Sequence, residues 1–431
     1  MDFLTDKLKE LKESGLFRDL KTVEGAQGPY LKIAGKQYLS FCSNNYLGLA
    51  EHPKVRQAAI EAIEKYGWGA GASRLVSGNT ALHERLEEEI ARFKHTEASI
   101  IFPTGYMANI GSICSLVSRE DIVIGDILNH ASIVDGCRQS GATFRFYPHC
   151  DMDKLEHILK KASEYRRRLI VTDSVFSMDG DLAPLPEIID LAQRYNAIIM
   201  IDEAHGTGVF GKGGRGVAEH FNLDGRIDVV MGTLSKAVGS LGGFVAGSRD
   251  LITYLRNKAR SFIYTTALPP AVCAASIAAL KLIQEEPSLR DTLWRNASRV
   301  EEGLKKIGLY NRVRSQESGV RSQPPVKSKS GELAFDSPPS QGGEKGGSDS
   351  RLRTQDSALR THKGPIFPII IGESHKTLEI SNQLFEENIF IPAIRPPTVP
   401  EGTSRLRLTV TATHTREHID KLLDALSKKV M

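Results

Sequence analysis

From Lys54 onward, short apolar runs of β character alternate with stretches of helical period, and this alternation limits the fold more than any other feature. Residues 55–65 and 82–93 place apolar side chains at helical spacing, whereas 99–102, 122–125, 168–172, 197–201 and 228–231 are predicted strands. A chain that alternates in this way builds a mostly parallel sheet covered by helices, so an α/β domain is expected. After 268–270 two longer helices are predicted to end near Gly308. A strand at 366–371, a helix from Lys376, an alternating strand at 405–410 and a final helix then suggest a smaller α+β domain. Ahead of all this, Leu4, Leu8 and Leu11 mark an amphipathic arm, and extended runs at 30–33 and 37–41 flank the turn Ala34-Gly35. The expected division is 1–50, arm and extended segment; 51–286, large domain; and 287–431, C-terminal domain.

One stretch breaks the pattern. Of the 50 residues from 314 to 363, 20 are Gly, Ser or Pro and only 8 are apolar, or 16% against 40% for the whole chain. Such a segment buries too little surface to offset the entropy of ordering, and a disordered insert is expected.

Charge excludes several function classes. Lys and Arg number 56 against 52 acidic residues, a net +4 with no basic block, which argues against a nucleic-acid partner. No apolar run approaches the ~18 residues of a membrane span. The longest candidate, 271–280, is interrupted by Ser276 and ends at Lys281. Five scattered cysteines without a CxxC pair fit neither a disulfide scaffold nor a zinc finger, and no metal is expected. The first residues resemble neither a secretory signal nor a transit peptide, so a cytoplasmic location is expected.

Two glycine-rich signals compete for the site. Gly206-Thr207-Gly208-Val209-Phe210-Gly211 matches GxGxxG behind a strand, and a nicotinamide oxidoreductase would rest on it. That fingerprint needs a helix to open at the glycines, and the continuation Lys212-Gly213-Gly214-Arg215-Gly216 cannot start one. The sharper signal precedes it. The strand at 197–201 runs into Asp202-Glu203-Ala204-His205, which puts a carboxylate where α/β sheets bind ligands. The next strand leads into Gly232-Thr233-Leu234-Ser235-Lys236, a lysine beside hydroxyls. Pyridoxal phosphate needs a lysine for its aldehyde, an acid for its ring nitrogen and donors for its phosphate. Gly105 and Tyr106, opening a helix after the strand at 99–102, supply such donors, although any strand–turn–helix junction looks similar. Asp202 alone fits a helix cap equally well. His130 suits either stacking on a flat ring or capping the helix that follows it.

The motifs 41–49 (FCSNNYLGL), 129–132 (NHAS), 175–181 (VFSMDGD), 202–208 (DEAHGTG) and 232–236 (GTLSK) together resemble the α-oxoamine synthases. The resemblance covers the chain outside 314–363. It implies the aspartate-aminotransferase-like fold (fold type I), pyridoxal 5'-phosphate as cofactor, and a homodimer with the active site at the subunit interface. It also implies that Lys236 binds the cofactor and moves the substrate proton. Asp202 would pair with the ring nitrogen and His130 stack on the ring. His205 and Ser177 would approach the cofactor or the substrate carbonyl. Gly105, Tyr106 and Thr233 would hold the phosphate, with Thr265 or Thr266 added by a neighbouring subunit. Arg395 would grip the amino-acid carboxylate, and Arg18, Asn44 and Thr398 would contact substrate. The run 393–403 (AIRPPTVPEGT) with 405–409 (RLRLT) resembles the branch that condenses L-alanine with a pimeloyl thioester, carried on coenzyme A or a carrier protein. Residues 129–136 resemble the glycine-using branch, so a glycine C-acetyltransferase is the alternative.

Overall fold

The structure, a computed structural model, describes residues 2–310 and 364–430. The expected insert at 314–363 lies outside the described residues. A helix, Asp2–Glu13, leads to a hairpin of β1 (Tyr30–Ile33) and β2 (Lys36–Ser40). Ala34 and Gly35 turn the hairpin, both at positive φ.

Seven strands then form the main sheet: β3 (Ala98–Phe102), β4 (Ile122–Asp126), β5 (Thr143–Tyr147), β6 (Arg168–Asp173), β7 (Ile198–Asp202), β8 (Val229–Thr233) and β9 (Gly243–Gly247). Their order is β3-β9-β8-β7-β6-β4-β5. Strand β9 runs antiparallel to β3 and β8, and the other four pairings are parallel. The central strands are buried on both faces, which is why they read as continuous apolar runs. Side chains still alternate. Ile199 and Ile201 of β7 enter one core and Met200 the other, and Val230 of β8 is opposed to Val229 and Met231. Helices Ala81–Lys94, Leu185–Arg194 and Pro270–Glu285 cover the first face, and Gly105–Leu116, Ala131–Gln139 and Arg249–Lys258 the second. Side-chain caps begin several helices, Met152–Lys161 among them. Thr104 accepts from Met107 N, Asp151 from Lys154 N and Ser248 from Leu251 N, each such cap contributing about 1 kcal/mol.

Farther on come β10 (Ile366–Gly372), β11 (Ile389–Phe390), β12 (Ala393–Ile394) and β13 (Ser404–Thr409). The order β10-β13-β12 makes an antiparallel sheet, while β11 joins β2 in parallel. The N-terminal hairpin is thereby stitched to the C-terminal region instead of standing apart. Among the described residues no helix is long and apolar enough to cross a membrane.

Candidate active site

The parallel strands deliver their polar residues to one edge of the sheet. Strands β4, β6, β7 and β8 end at Asp126, Asp173, Asp202 and Thr233, and Asp202 lies opposite Asp173 in register. Asp202 is 3% exposed. Its Oδ2 accepts from Asn109 Nδ2 at 2.7 Å and its Oδ1 from Ala204 N at 2.8 Å. Its neighbour Asp173 is pushed well above the carboxylate range by burial and then by Asp202, although the His130 N–H, 2.6 Å from Oδ2, works the other way.

Lys236 sits in the turn between β8 and β9. Burial holds its amine below the ordinary lysine range; Asp202 and Asp173 oppose this and Arg407 reinforces it. Beside it, Thr233 Oγ1 donates to Gly242 O at 2.8 Å, lies 2.7 Å from Ser235 Oγ and accepts from Ser235 N at 3.2 Å. The helix start at Gly105 abuts this turn: a Cβ on Gly105 would lie 3.1 Å from Met231 Cε and 3.5 Å from Thr233 Oγ1. The first N–H groups of that helix have no intrahelical acceptor and carry its positive end. Gly105 and Thr233 thus meet, Thr233 standing three residues ahead of Lys236. The side chain of Tyr106 points elsewhere, with its hydroxyl donating to Asp135 at 2.6 Å.

His130 performs the capping its position allows, since Nδ1 accepts from Ser132 N at 3.3 Å at the start of Ala131–Gln139. Although the residue reaches the surface of the crevice, desolvation of its ring lowers its pKa; Asp202 opposes the shift and Lys236 adds to it. His205 is buried and held far below the histidine range by desolvation, with Lys236, Arg407 and His130 adding repulsion. Its Nδ1 is 2.7 Å from the Tyr46 hydroxyl, which donates to Asn44 Oδ1 at 3.2 Å. Arg407 closes this network. Its Nη1 donates to Asn44 Oδ1 at 3.2 Å and its Nε to Ser177 O at 2.6 Å, so Ser177 contributes its carbonyl here.

The remaining expected residues lie apart from this cluster in their contacts. The Arg395 guanidinium donates to Gly15 O and to Phe17 O, and Arg18 donates to Pro396 O at 3.0 Å. These two arginines latch the N-terminal arm to the C-terminal loop. Thr398 is exposed in that loop, its N–H bonded to Arg395 O. Thr265 and Thr266 follow helix Arg260–Ile263, where Thr266 bridges to Ser73.

Arg407 is the residue that sequence reasoning passed over. Both arginines carry a buried nitrogen without a protein partner, Nη2 in Arg407 and Nε in Arg395. The difference is electrostatic: Arg407 acts on Lys236, His205 and Tyr46, whereas the charged neighbour of Arg395 is Arg18. A signal for Arg407 was present. Arg405-Leu406-Arg407-Leu408-Thr409 is a buried strand with two arginines on one face, and such charges need partners. Asn109, Asp173 and Tyr46 were also missed, because a single polar residue in a helix or strand carries no sequence mark of what it touches.

The glycine fingerprint has a different purpose. Residues 206–216 form turns, and the helix beyond them, Val217–His220, has four residues. Glu203 is fully buried, accepting from Ser174 Oγ, Val217 N and Ala218 N at 2.9–3.0 Å. A Cβ on Gly206 would sit 1.8 Å from Glu203 Oε2, and one on Gly216 would sit 2.5 Å from its Cδ. The glycines let backbone wrap a buried carboxylate.

The model of the family "Aminotransferase class I and II" matches residues 36–328 and 349–426. This chain belongs to that family. It is 46% identical over 429 residues to a protein of Thermoanaerobacter pseudethanolicus named 8-amino-7-oxononanoate synthase, covering 99% of this chain and 96% of that one. A protein of the same name from Symbiobacterium thermophilum is 44% identical over 428 residues, with 99% and 97% covered. Among solved structures, serine palmitoyltransferase from S. paucimobilis with bound PLP–myriocin superposes with a TM-score of 0.84 at 30% identity, covering 99% of this chain and 96% of that chain. The family has the aspartate-aminotransferase-like α/β fold expected from the motifs.

Proposed function

We infer that the chain catalyses the 8-amino-7-oxononanoate synthase reaction of biotin biosynthesis, the decarboxylative condensation of L-alanine with a pimeloyl thioester, using pyridoxal 5'-phosphate. The observation that carries the reading is the pairing of a buried, doubly hydrogen-bonded Asp202 with a desolvated Lys236 at adjacent strand ends, in a chain 46% identical along its length to a protein of that name.

The residues fit the cofactor. Gly105 and Tyr106 backbone N–H groups with the Thr233 hydroxyl would hold its phosphate, Asp202 its ring nitrogen, and Lys236 its aldehyde. When bound, the cofactor supplies an electron-withdrawing ring that stabilises negative charge at the substrate Cα. The chain supplies placement and proton control. Lys236, with its pKa lowered, is unprotonated near neutral pH more often than an ordinary lysine and so is available to take the alanine Cα proton. Arg407 is the group suited to the alanine carboxylate, because it faces the Lys236 neighbourhood with Nη2 unfilled. Arg395 and Arg18 hold the arm that borders the loop 395–403, where a longer acyl group would run. His205 stays neutral and shares the Tyr46 hydroxyl, a polar wall for a carbonyl oxygen. Coenzyme A and a carrier protein are both acyl carriers of the required class.

The working unit is a homodimer. Trp68, Leu75, Val76 and Tyr264 are 68%, 53%, 79% and 71% exposed on one chain, and this is the region into which a second copy would bring Thr265 or Thr266. Product analysis by mass spectrometry tests the function. Alanine with a pimeloyl thioester should yield 8-amino-7-oxononanoate, free carrier and carbon dioxide. Efficient turnover of glycine with acetyl-CoA, and none of alanine, would assign the glycine-using reaction instead.

A further inference from the structure

Two groups, Asn109 and Ser132, link the cofactor-facing acid to the histidine at the mouth of the crevice. Asn109, on helix Gly105–Leu116, is 1% exposed. Its Nδ2 donates to Asp202 Oδ2 at 2.7 Å and to Ser132 Oγ at 2.9 Å. Ser132 Oγ lies 2.7 Å from His130 Nδ1, and the Ser132 backbone N–H donates to the same nitrogen at 3.3 Å.

The direction of every proton in this chain follows from valence. Asp202 Oδ2 accepts from the Asn109 NH2 group, and the flipped amide would set oxygen against oxygen there. Both Nδ2 hydrogens are then used, one on Asp202 and one on Ser132 Oγ. Ser132 Oγ receives a hydrogen bond from Asn109, and its own hydroxyl proton goes to His130 Nδ1, the acceptor to which the Ser132 N–H already points. With the Ser132 N–H also aimed at Nδ1, that nitrogen is an acceptor twice over. The ring proton of a neutral His130 has one place left, Nε2.

We propose that Asn109 is a positioning residue that, through Ser132, ties Asp202 to the Nε2–H tautomer of His130, so that the imidazole presents a donor to the substrate's oxygens. The proposal rests on the reading of the crevice as a cofactor site, but its internal geometry does not. Asp173 completes the arrangement by accepting from the His130 backbone N–H at 2.6 Å, which fixes the residue while the relay fixes its proton. A ring that caps a helix and faces a ligand cannot rotate to exchange its nitrogens, so the protein must choose the tautomer in advance.

The test is nitrogen NMR of 15N-histidine-labelled protein without added cofactor, with His130 assigned by its absence in His130→Gln. In the wild type the His130 shifts should report Nε2–H with Nδ1 unprotonated near pH 7. Ser132→Ala and Asn109→Leu should each lower the preference for that tautomer by about fivefold, the worth of one typical hydrogen bond, and Ser132→Thr, which keeps the hydroxyl, should restore it. Wild-type protein with the proton on Nδ1 would overturn the proposal, as would shifts unchanged in both variants. If Ser132→Ala or Asn109→Leu does not fold, the wild-type tautomer still decides. Should the protein bind no pyridoxal phosphate while the shifts behave as expected, the cofactor reading fails and the relay stands.

Discussion

Three side chains differ in what their replacement should reveal. Asp202→Asn keeps the shape of the site but cannot hold a proton on a ring nitrogen by charge. Turnover should fall by about 10²–10³, the scale of a lost preorganised electrostatic contact, while the cofactor still binds; near-normal kcat would reduce Asp202 to a structural cap for Ala204. The arginines give a second contrast. A guanidinium meets a carboxylate with two parallel bonds that an ammonium cannot reproduce. Arg407→Lys should therefore raise the KM for alanine by at least about tenfold, whereas Arg395→Lys should leave it nearly unchanged and loosen the N-terminal arm to proteolysis. Steady-state kinetics of both variants decides. The reverse pattern would return carboxylate binding to Arg395, the residue favoured by the sequence motif.

Two histidines join elements rather than perform chemistry, and pH should expose them. In His83, Nδ1 accepts from Thr80 N and Nε2 donates to Leu268 O, joining the start of helix Ala81–Lys94 to the segment after residue 264. In His414, Nδ1 accepts from Thr411 N and Nε2 donates to Ser40 O. Protonating either Nδ1 would set a donor against a donor, and burial, the largest cause, has already lowered both pKa values to about 4. The unfolded chain binds these protons near pH 6.5 and the folded one only near 4. Their contribution to stability is therefore complete above about 6.5 and is lost as pH falls toward 4. Each histidine should account for about 1–2 kcal/mol of the loss at pH 5. Urea midpoints at pH 7 and pH 5 check this, because His414→Asn should show a shallower fall than wild type; an equal fall would refute the link. Such staples are invisible in the sequence, whereas the elements they join are not. The apolar runs ending at Ile201 and Met231 announced β7 and β8, since a strand buried on both faces must be apolar throughout. Strand β9 was hidden by its own packing. Gly243 and Gly247 dilute its β character because a Cβ on Gly243 would come within 2.6 Å of Gly105 Cα, and one on Gly247 within 2.7 Å of Asp228 O. The candidate site was legible in part. Lys236, Asp202 and His130 stand in local motifs at strand ends, while Arg407, Asn109 and Tyr46 reach the crevice from β13, a helix interior and the segment after β2, placements that only tertiary structure reveals.

At the scale of the molecule, apolar side chains gather around the mouth of the crevice. Tyr106, Ile127 and Leu241 are 44%, 54% and 47% exposed, each within a few residues of a group assigned to the site, and the Ser73–Thr266 bridge sets Leu75 and Val76 beside Tyr264. Exposed large apolar side chains in such number are costly in a monomer and fit an interface. Because it lies next to the candidate site, the second copy that covers it would also exclude water from Lys236 and strengthen every electrostatic contact there. Sedimentation should give twice the chain mass at micromolar concentration. Val76→Asp should shift the population toward the single chain, because an unpaired carboxylate buried in an apolar interface costs more than the contacts it replaces. Cofactor absorbance should weaken in proportion to the monomer fraction, and raising the protein concentration should restore both together. A variant that sediments as a single chain yet binds pyridoxal phosphate as tightly as the wild type would mean that one chain completes the cofactor site, leaving Thr265 and Thr266 without a role across the interface.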